Sequence, residues 1–297
     1  PEPRRSWFSQ GQDRRAAVRH TVAMGTPLSE LGHFLRTRRD RLRPEDVGLS
    51  SYGRRRVPGL RRGVSVDYYV RLEQGRDVRP SEAVLDALAR ALGLDEAERA
   101  HLHALGRAAG SRRPLRRPAP QRVRPGVLRL LETLDDVPAF VLGRHMDVLA
   151  HNALAGALLG HRAGSNTLRL IFLDEGSREL FPDWEQVAAE AVGWLRLTSG
   201  ELGDDADLCE LVGELSLRSE DFRRLWAAHP VRRKTFGRKR MAHPLVGELT
   251  LEYETLALPD PGQHLVVYTP ADRPARTALE LLSAVAAPDE PAPVAYR

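Results

Sequence analysis

The side chains best placed to bind another molecule lie on one face of a short predicted helix. Apolar residues recur at near-helical spacing along its inner side: Val66, Tyr69, Val70 and Leu72. The outer side then carries Asp67, Tyr68 and Arg71. Ser65 can cap the helix through its hydroxyl, and Gly75 can end it. A polar helix of this length fits the major groove of DNA, where arginine is the commonest bidentate partner of guanine.

Basic residues near this helix are suited to hold the phosphate backbone of DNA. They are Arg54, Arg55, Arg56, Arg61, Arg62 and Arg76. The hydroxyls of Ser65 and Tyr68 are further candidate donors to phosphate. One of the two adjacent tyrosines should instead pack in the core, and the spacing favours Tyr69. For the run at 54–56, a solvated loop is the alternative to phosphate contact.

The charge of the chain is unevenly divided. Residues 1–125 contain 27 Arg, no Lys and 14 acidic residues, a net charge of +13, and residues 126–297 have a net charge of −8. A basic part joined to an acidic part is typical of a nucleic-acid-binding module joined to a second module. A GC-rich genome accounts for much of the excess of Arg over Lys, but it does not explain this segregation.

Apolar periodicity predicts an all-helical domain at 28–109, after a flexible tail at 1–27. The inner side of its first helix, from about residue 29, is Leu31, Phe34, Leu35 and Leu42. Ser81 caps a later helix and Gly93 ends it. The inner side of that helix is Val84, Leu85, Leu88 and Leu92. Asp95 and Glu98 form a capping-box pair that starts the next helix.

Residues 110–125 form a Pro- and Arg-rich linker, because repeated prolines exclude helices and sheet ladders. Beyond it lies a domain at 126–285, followed by a flexible tail at 286–297. Alternation predicts strands at 138–142, 148–151, 249–254 and 263–269. Helical spacing predicts helices at 152–159, 185–197, 205–217, 219–226 and 275–284. Strands at both ends with helices between them indicate an α+β domain.

Segments in both halves carry a resemblance to one family. In the N-terminal half they are 31–39 (LGHFLRTRR), 53–62 (GRRRVPGLRR), 63–75 and 80–94. In the C-terminal half they are 182–184 (PDW), 218–226 (RSEDFRRLW) and 243–254 (HPLVGELTLEYE). In this order, over roughly residues 28–285, the chain resembles the MmyB-like group of bacterial Xre-type transcription regulators.

The resemblance implies a multidomain α+β protein with two functions. An N-terminal all-α helix-turn-helix domain is expected to bind double-stranded DNA at promoters. A C-terminal PAS-like α+β domain is expected to bind a small hydrophobic ligand, for example a fatty acid, which modulates DNA binding. A homodimer is expected, because two half-sites about one helical turn apart reinforce the weak contact of a single helix.

The chain departs from the family at one point. The family has a short helix, the first of the helix-turn-helix, before the segment at 63–75, whereas Arg62 is here followed directly by Gly63. The few residues there cannot form two helical turns. Either the helix is deleted, or the sequence shown omits it. A true deletion leaves an alternative function, that of a ligand-binding, dimerising protein that no longer binds DNA.

Aromatic residues of the second half are candidates to line an apolar pocket. They are Phe140, Phe172, Trp184, Trp194, Phe222 and Trp226. Packing in an ordinary core is the alternative for each. A ligand carboxylate would need a cation, and Arg196 and Arg223 on predicted helices are the candidates.

No pattern in the sequence indicates catalysis. A His-Glu-x-x-His motif, a nucleophile elbow, a phosphate-binding loop and a dinucleotide fingerprint are all missing. Cys209 is the single cysteine, which excludes a disulfide framework and a Cys-based zinc site. Since no apolar run approaches the length of a membrane span, a cytoplasmic protein without a membrane partner is expected. The basic cluster at 232–234 and 238–240 is interpreted as a solvated strand edge protected by charge. Contact with DNA, with an acidic partner or with the acidic remainder of the same domain is the alternative.

Overall fold

The computed structural model describes residues 27–42, 66–76, 80–109, 117–202, 205–228 and 235–285. These residues form two compact units. One unit contains the described residues up to Pro118 together with those between 189 and 233. The other contains residues 119–188 and those from 235 onward. The predictions for residues 1–26 and 286–297, for the join of Arg62 to Gly63, for the Ser65 cap and for the arginines at 54–62 lie outside the described residues.

The helices of the described residues are, in chain order, α1 (Pro27–Arg39), α2 (Val66–Glu73), α3 (Glu82–Ala91), α4 (Glu96–Ala109), α5 (Pro125–Thr133), α6 (Ala153–Leu159), α7 (Thr167–Leu173), α8 (Ser177–Leu180), α9 (Trp184–Leu202), α10 (Ala206–Arg218), α11 (Glu220–Ala227) and α12 (Arg273–Val285). The strands are β1 (Ala139–Leu142), β2 (Val148–His151), β3 (Phe236–His243), β4 (Gly247–Ala257) and β5 (His264–Pro270). Every predicted element within these residues is present, whereas α5, α7 and α8 have no counterpart among the predictions. None of these helices is long and apolar enough to span a membrane.

The core of α1 to α4 consists largely of the residues that the apolar spacing predicts. Buried members are Leu31, Phe34, Leu35, Tyr69, Leu72, Leu85, Leu88 and Leu92. The prediction is wrong for Val70, which is 39% exposed. Tyr69 and Leu72 share the face that packs in the core, whereas Val70 lies about 200° around the helix from Leu72.

Capping interactions set the ends of these helices. Asp95 Oδ1 accepts from the backbone N–H of Glu98 at 2.8 Å, and Glu98 Oε2 accepts from that of Asp95 at 3.3 Å, which confirms the capping box. Gly75 and Gly93 end α2 and α3 with φ of 64° and 61°, a conformation that glycine adopts without strain. Ser81 occupies the N-cap position of α3, as predicted, but its side chain makes no capping hydrogen bond.

The other unit is built on a five-stranded antiparallel sheet in the order β2-β1-β5-β4-β3. Helices therefore precede a domain of mixed helices and strands, which confirms the predicted α+β class. Helix α5 covers one face of the sheet, because Val127 and Leu131 pack with Val141 and Leu265. Strand β3 lies at an edge and exposes Arg238 and Arg240, which confirms the predicted charged edge.

Helices α9 to α11 are inserted in the chain between β2 and β3. Ser219 caps α11, its hydroxyl accepting from the backbone N–H of Phe222 at 3.2 Å. Helix α9 begins at Trp184 in the sheet-containing unit, and its residues from 189 onward belong to the unit of α1 to α4. The compact units therefore do not follow the order of the chain.

Candidate functional sites

The packing of α2 on α1 fixes which face of α2 is exposed. Tyr69 and Leu72 are each 1% exposed, and the Tyr69 hydroxyl donates to the carbonyl oxygen of Leu35 at 3.4 Å. Burial raises the pKa of this hydroxyl, so it keeps the proton that it donates. The structure thus confirms the prediction that Tyr69 packs in the core.

The C-terminal end of α2 is held by arginines of α1. Arg39 Nη1 lies 2.5 Å from Glu73 Oε2, and Arg36 Nη2 donates to the backbone carbonyl of Glu73 at 3.1 Å. Because Glu73 is 8% exposed, its ion pair is less screened than one at the surface. Cations near the last carbonyls of a helix also interact favourably with its dipole. These contacts fix the orientation of α2 on α1.

The opposite face of α2 is a stripe of exposed residues, which we call the α2 stripe: Asp67, Val70, Arg71 and Gln74. Their spacing of i, i+3, i+4 and i+7 places them on one side of the helix. Asp67 and Arg71 face outward as predicted, whereas Tyr68 is half-buried against the core. Val70 and Gln74 are absent from the predicted set, although helical spacing from Asp67 indicates both.

Each side chain of the α2 stripe matches a feature of a base edge. Arg71 can bond both acceptors of guanine, and Gln74 can pair with adenine in the same bidentate way. Asp67 can accept from the amino group of cytosine, and the methyl groups of Val70 suit the thymine methyl. Arg76, just beyond the helix, is also exposed and remains a candidate for phosphate.

In the sheet-containing unit, aromatic side chains line one face of the sheet. The Phe140 ring lies 4.6 Å from that of His161, edge to face, and 6.1 Å from that of Tyr268. Tyr268 in turn lies 5.9 Å from Tyr253. Lys239 Nζ is 5.1 Å from the centroid of the Tyr253 ring and donates to Tyr268 Oη at 3.3 Å. These side chains form an aromatic group with a cation at its margin.

Lys239 is a candidate ligand-binding cation that the sequence reasoning missed. Strand alternation separates it from Arg238 and Arg240, which are exposed on the other face of β3. Among the described residues, no carboxylate forms an ion pair with the Lys239 ammonium. Burial lowers the pKa of the nearby His161 to about 3, so that ring is neutral at physiological pH. The signal in the sequence is the alternation Lys239, Met241, His243, which marks the inner face of the edge strand.

Phe172 and Trp184, two further predicted ligand-binding residues, pack at the start of α9. Their rings are T-shaped at 5.7 Å, and the Trp184 indole N–H donates to the carbonyl oxygen of Ile171 at 3.0 Å. The guanidinium of Arg178 lies 3.7 Å from the centroid of the Trp184 ring. This group fixes the first turn of α9.

The remaining predicted ligand-binding residues belong to the unit of α1 to α4: Trp194, Arg196, Phe222, Arg223 and Trp226. Phe222 stacks on Trp226 at 5.6 Å. Arg196 is 3% exposed and pairs with Glu30 at 2.5 Å, so this guanidinium has a carboxylate partner within the protein. Arg223 is exposed and donates to the carbonyl oxygen of Ser216 at 3.2 Å. The predicted set therefore falls into separate groups.

A cavity of about 170 Å³ opens between β3, β4 and α12. Its lining residues are Pro182, Arg240, Met241, Glu248, Leu249, Thr250, Asp272, Pro274 and Ala275. None of them belongs to the predicted ligand-binding set, and their charges suit a polar guest better than an apolar one. No cluster of His, Cys, Asp and Glu that could hold a metal ion occurs within the part of the chain that the structure describes.

Comparison with known families matches both parts of the chain. Residues 123–282 match the MmyB-like transcription regulator ligand binding domain, and residues 30–102 match a helix-turn-helix domain. A comparison with curated proteins gives no match. The first match covers more than half of the chain and confirms the resemblance found in the sequence. The two domains indicate DNA and a small molecule as the partners of a ligand-responsive regulator. The chain belongs to the MmyB-like transcription regulators.

Proposed function

We propose that this protein binds promoter DNA through the α2 stripe, and that a small hydrophobic molecule modulates this binding. The α2 stripe is the observation that supports the proposal most strongly. Asp67 and Arg71 face outward, while Tyr69 and Leu72 anchor the helix in the core. An anchored helix with base-matching side chains on its outer face is what entry into a major groove requires.

Selection from a pool of short random duplexes tests this function. The retained duplexes should share a motif, and log affinity measured by fluorescence anisotropy should fall steeply with log salt, because phosphate contacts release counterions. Retention of no sequence above background contradicts the proposal. That result favours the alternative, a ligand-binding dimer that has lost DNA binding. The absence of the family's short helix between Arg62 and Gly63 supports this alternative.

The DNA-bound form is proposed to be a homodimer. A single short helix contacts few base pairs, so two copies on adjacent half-sites raise the affinity without new contacts. Light scattering on the complex with a selected duplex measures the number of chains. Two chains on a palindromic motif support the dimer, and one chain on a motif without symmetry contradicts it.

The proposed ligand is an amphipathic molecule with a carboxylate, such as a fatty acid. Lys239 supports this class, because its ammonium lies at the margin of the aromatic group of Phe140, Tyr253 and Tyr268. A cation beside apolar rings suits a ligand with a charged head and an apolar chain. Arg196 is less suited, since its guanidinium already pairs with Glu30.

A pair of probes that differ only in the head group tests this ligand class. Decanoate should raise the melting temperature more than 1-decanol at the same concentration, because only decanoate offers a carboxylate to Lys239. Native mass spectrometry of the purified protein then shows whether an acyl compound is carried from the cell. Equal shifts with both probes contradict the role of the carboxylate, and no shift with either contradicts the fatty-acid class.

A further inference from the structure

Helices α9 to α11 lie within the matched ligand-binding region, yet they pack with the DNA-binding helices. The match to the ligand binding domain spans residues 123–282, and residues 189–233 belong to the compact unit of α1 to α4. Leu197 of α9 is 8% exposed in the same apolar core as Leu31 and Phe34 of α1. Two parts of the chain with different functions therefore share one core.

A buried ion pair joins α9 to α1 at this core. Arg196 Nη1 lies 2.5 Å from Glu30 Oε2, and Arg196 Nη2 donates to the carbonyl oxygen of Trp226 at 2.8 Å. The guanidinium also lies 3.3 Å from the centroid of the Trp226 ring. Burial lowers the pKa of Arg196 to about 10, which still leaves it charged at neutral pH. One side chain of α9 thus contacts both α1 and α11.

A second contact ties α11 to the end of α1. Arg41 Nη2 donates to the carbonyl oxygen of Ala228, the C-cap residue of α11, at 3.3 Å. The last carbonyls of a helix have no partner within the helix itself. Here the carbonyls of Trp226 and Ala228 accept from arginines of α9 and of the segment after α1. The C-terminal end of α11 therefore accepts hydrogen bonds both from α9 and from the segment after α1.

We propose that Arg196 and Glu30 are positioning residues that couple α9 to α11 with the DNA-binding surface on α2. The proposal rests on the proposed function, because it assigns to these helices the regulation of the same DNA-binding site. The route is short: α9 begins at Trp184 in the sheet-containing unit, Arg196 on α9 contacts α1, and α1 holds α2 through Glu73. A displacement of α9 then changes the position of α2 on α1.

Three variants of the full chain test the coupling: Glu30→Gln, Arg196→Met and the double variant. Asp86→Asn is the matched control, since Asp86 pairs with Arg99 at 2.6 Å between α3 and α4 and the change is again carboxylate to amide. Affinity for a selected duplex is measured with correction for the folded fraction. Each single variant should weaken binding by roughly 5- to 150-fold, the usual range of coupling between sites.

The salt slope and the double variant distinguish positioning from direct DNA contact and from independent effects. The slope of log affinity against log salt should not change, because no phosphate contact is removed. The double variant should bind no more weakly than the weaker-binding single variant, because either single substitution already breaks the ion pair between Arg196 and Glu30. Wild-type affinity in both folded single variants, or additive losses in the double variant, overturns the proposal. If Arg196→Met does not fold, the test depends on Glu30→Gln alone, which keeps the shape of the side chain.

Hydrogen exchange of the same proteins without DNA separates this proposal from the proposed function. In Arg196→Met, exchange should rise in α2, and in Glu30→Gln it should rise in α9 to α11. Strands β3 to β5 should be unchanged, and Asp86→Asn should leave α9 to α11 unchanged. A rise confined to the substituted helix overturns the coupling. If the wild-type protein retains no duplex, the proposed function fails, and the exchange measurement alone decides the coupling.

Discussion

The backbone of α2 at Glu73 lies directly against Gly32 of α1, which has no side chain to separate the two helices. A Cβ atom on Gly32 would lie 2.5 Å from the Glu73 carbonyl oxygen, well inside van der Waals contact. That oxygen belongs to the backbone and also accepts from Arg36, so it has little room to move. The close packing of α2 on α1 depends on this glycine, and so does the direction in which the α2 stripe faces.

Replacing Gly32 by alanine should therefore destabilise the protein by about 1–3 kcal/mol, the usual effect of overpacking. Gly213 of α10 is the matched control, because a Cβ there meets no atom within 4 Å. Gly213→Ala should stabilise by about 0.5–1 kcal/mol, since alanine is the better helix former. Thermal denaturation followed by circular dichroism measures both. An unchanged melting temperature in Gly32→Ala would contradict the close approach of the two helices.

The adjacent tyrosines of α2 should respond very differently to truncation. Tyr69 is 1% exposed, so Tyr69→Ala should lower the free energy of unfolding by about 3–5 kcal/mol, as for other large aromatic residues in a core. Tyr68 is half-buried, so Tyr68→Ala should cost less stability. Equal losses of stability in the two variants are incompatible with the orientation of α2 described above.

Acid should weaken the fold through buried histidines. Burial, together with the smaller effect of neighbouring positive charge, lowers the pKa of His101 and of His161 from the ordinary value of 6.5 to about 3. Between these two values the unfolded chain binds protons that the folded chain does not. The free energy of unfolding is therefore not reduced by these histidines above pH 6.5. Below pH 6.5 it falls by about 1.4 kcal/mol per pH unit for each histidine.

Urea denaturation between about pH 5 and 8 measures this dependence. His161→Phe keeps an aromatic ring beside Phe140 and removes one titrating group, so its slope below pH 6.5 should be shallower than that of the wild type. Identical slopes in the two proteins would show that His161 is protonated in the folded state.

Lys239 and its neighbour Arg238 provide a test of the proposed ligand site. Arg238 faces the other side of β3 and pairs with Glu252 at 2.8 Å. Lys239→Met should therefore reduce the thermal shift given by decanoate, whereas Arg238→Met should not. The shift given by 1-decanol should be similar in both variants. Loss of the decanoate shift in Arg238→Met alone would show that Arg238, on the exposed face of the edge strand, binds the carboxylate instead of Lys239.

Local spacing in the sequence was enough to predict most elements and their ends. The capping box of Asp95 and Glu98, the end of α2 at Gly75 and the burial of Tyr69 all depend on residues within a turn or two. The spacing places Val70 on the wrong face, because in a helix of eight residues a single apolar side chain at the edge of the apolar face does not show where that face ends.

Contacts between distant residues could not be predicted from the sequence. Arg196 appears from spacing alone as a cation beside aromatic residues, which fits a ligand site as well as an ion pair. Its partner Glu30 is 166 residues away, and only the folded chain brings them together. The position of Lys239 beside Tyr253 and Tyr268 cannot be predicted for the same reason, because these tyrosines lie on other strands.

The most direct test of DNA binding through the α2 stripe is the effect of Arg71→Ala on a selected duplex, compared with Arg276→Ala. Both arginines are exposed on helices and each substitution removes one positive charge, but Arg276 lies on α12 in the other unit. We expect Arg71→Ala to weaken binding by about 1–3 kcal/mol and to relax the preference for one base. Arg276→Ala should bind as the wild type does. Equal affinity of both variants for the duplex would contradict the central claim that α2 reads the DNA.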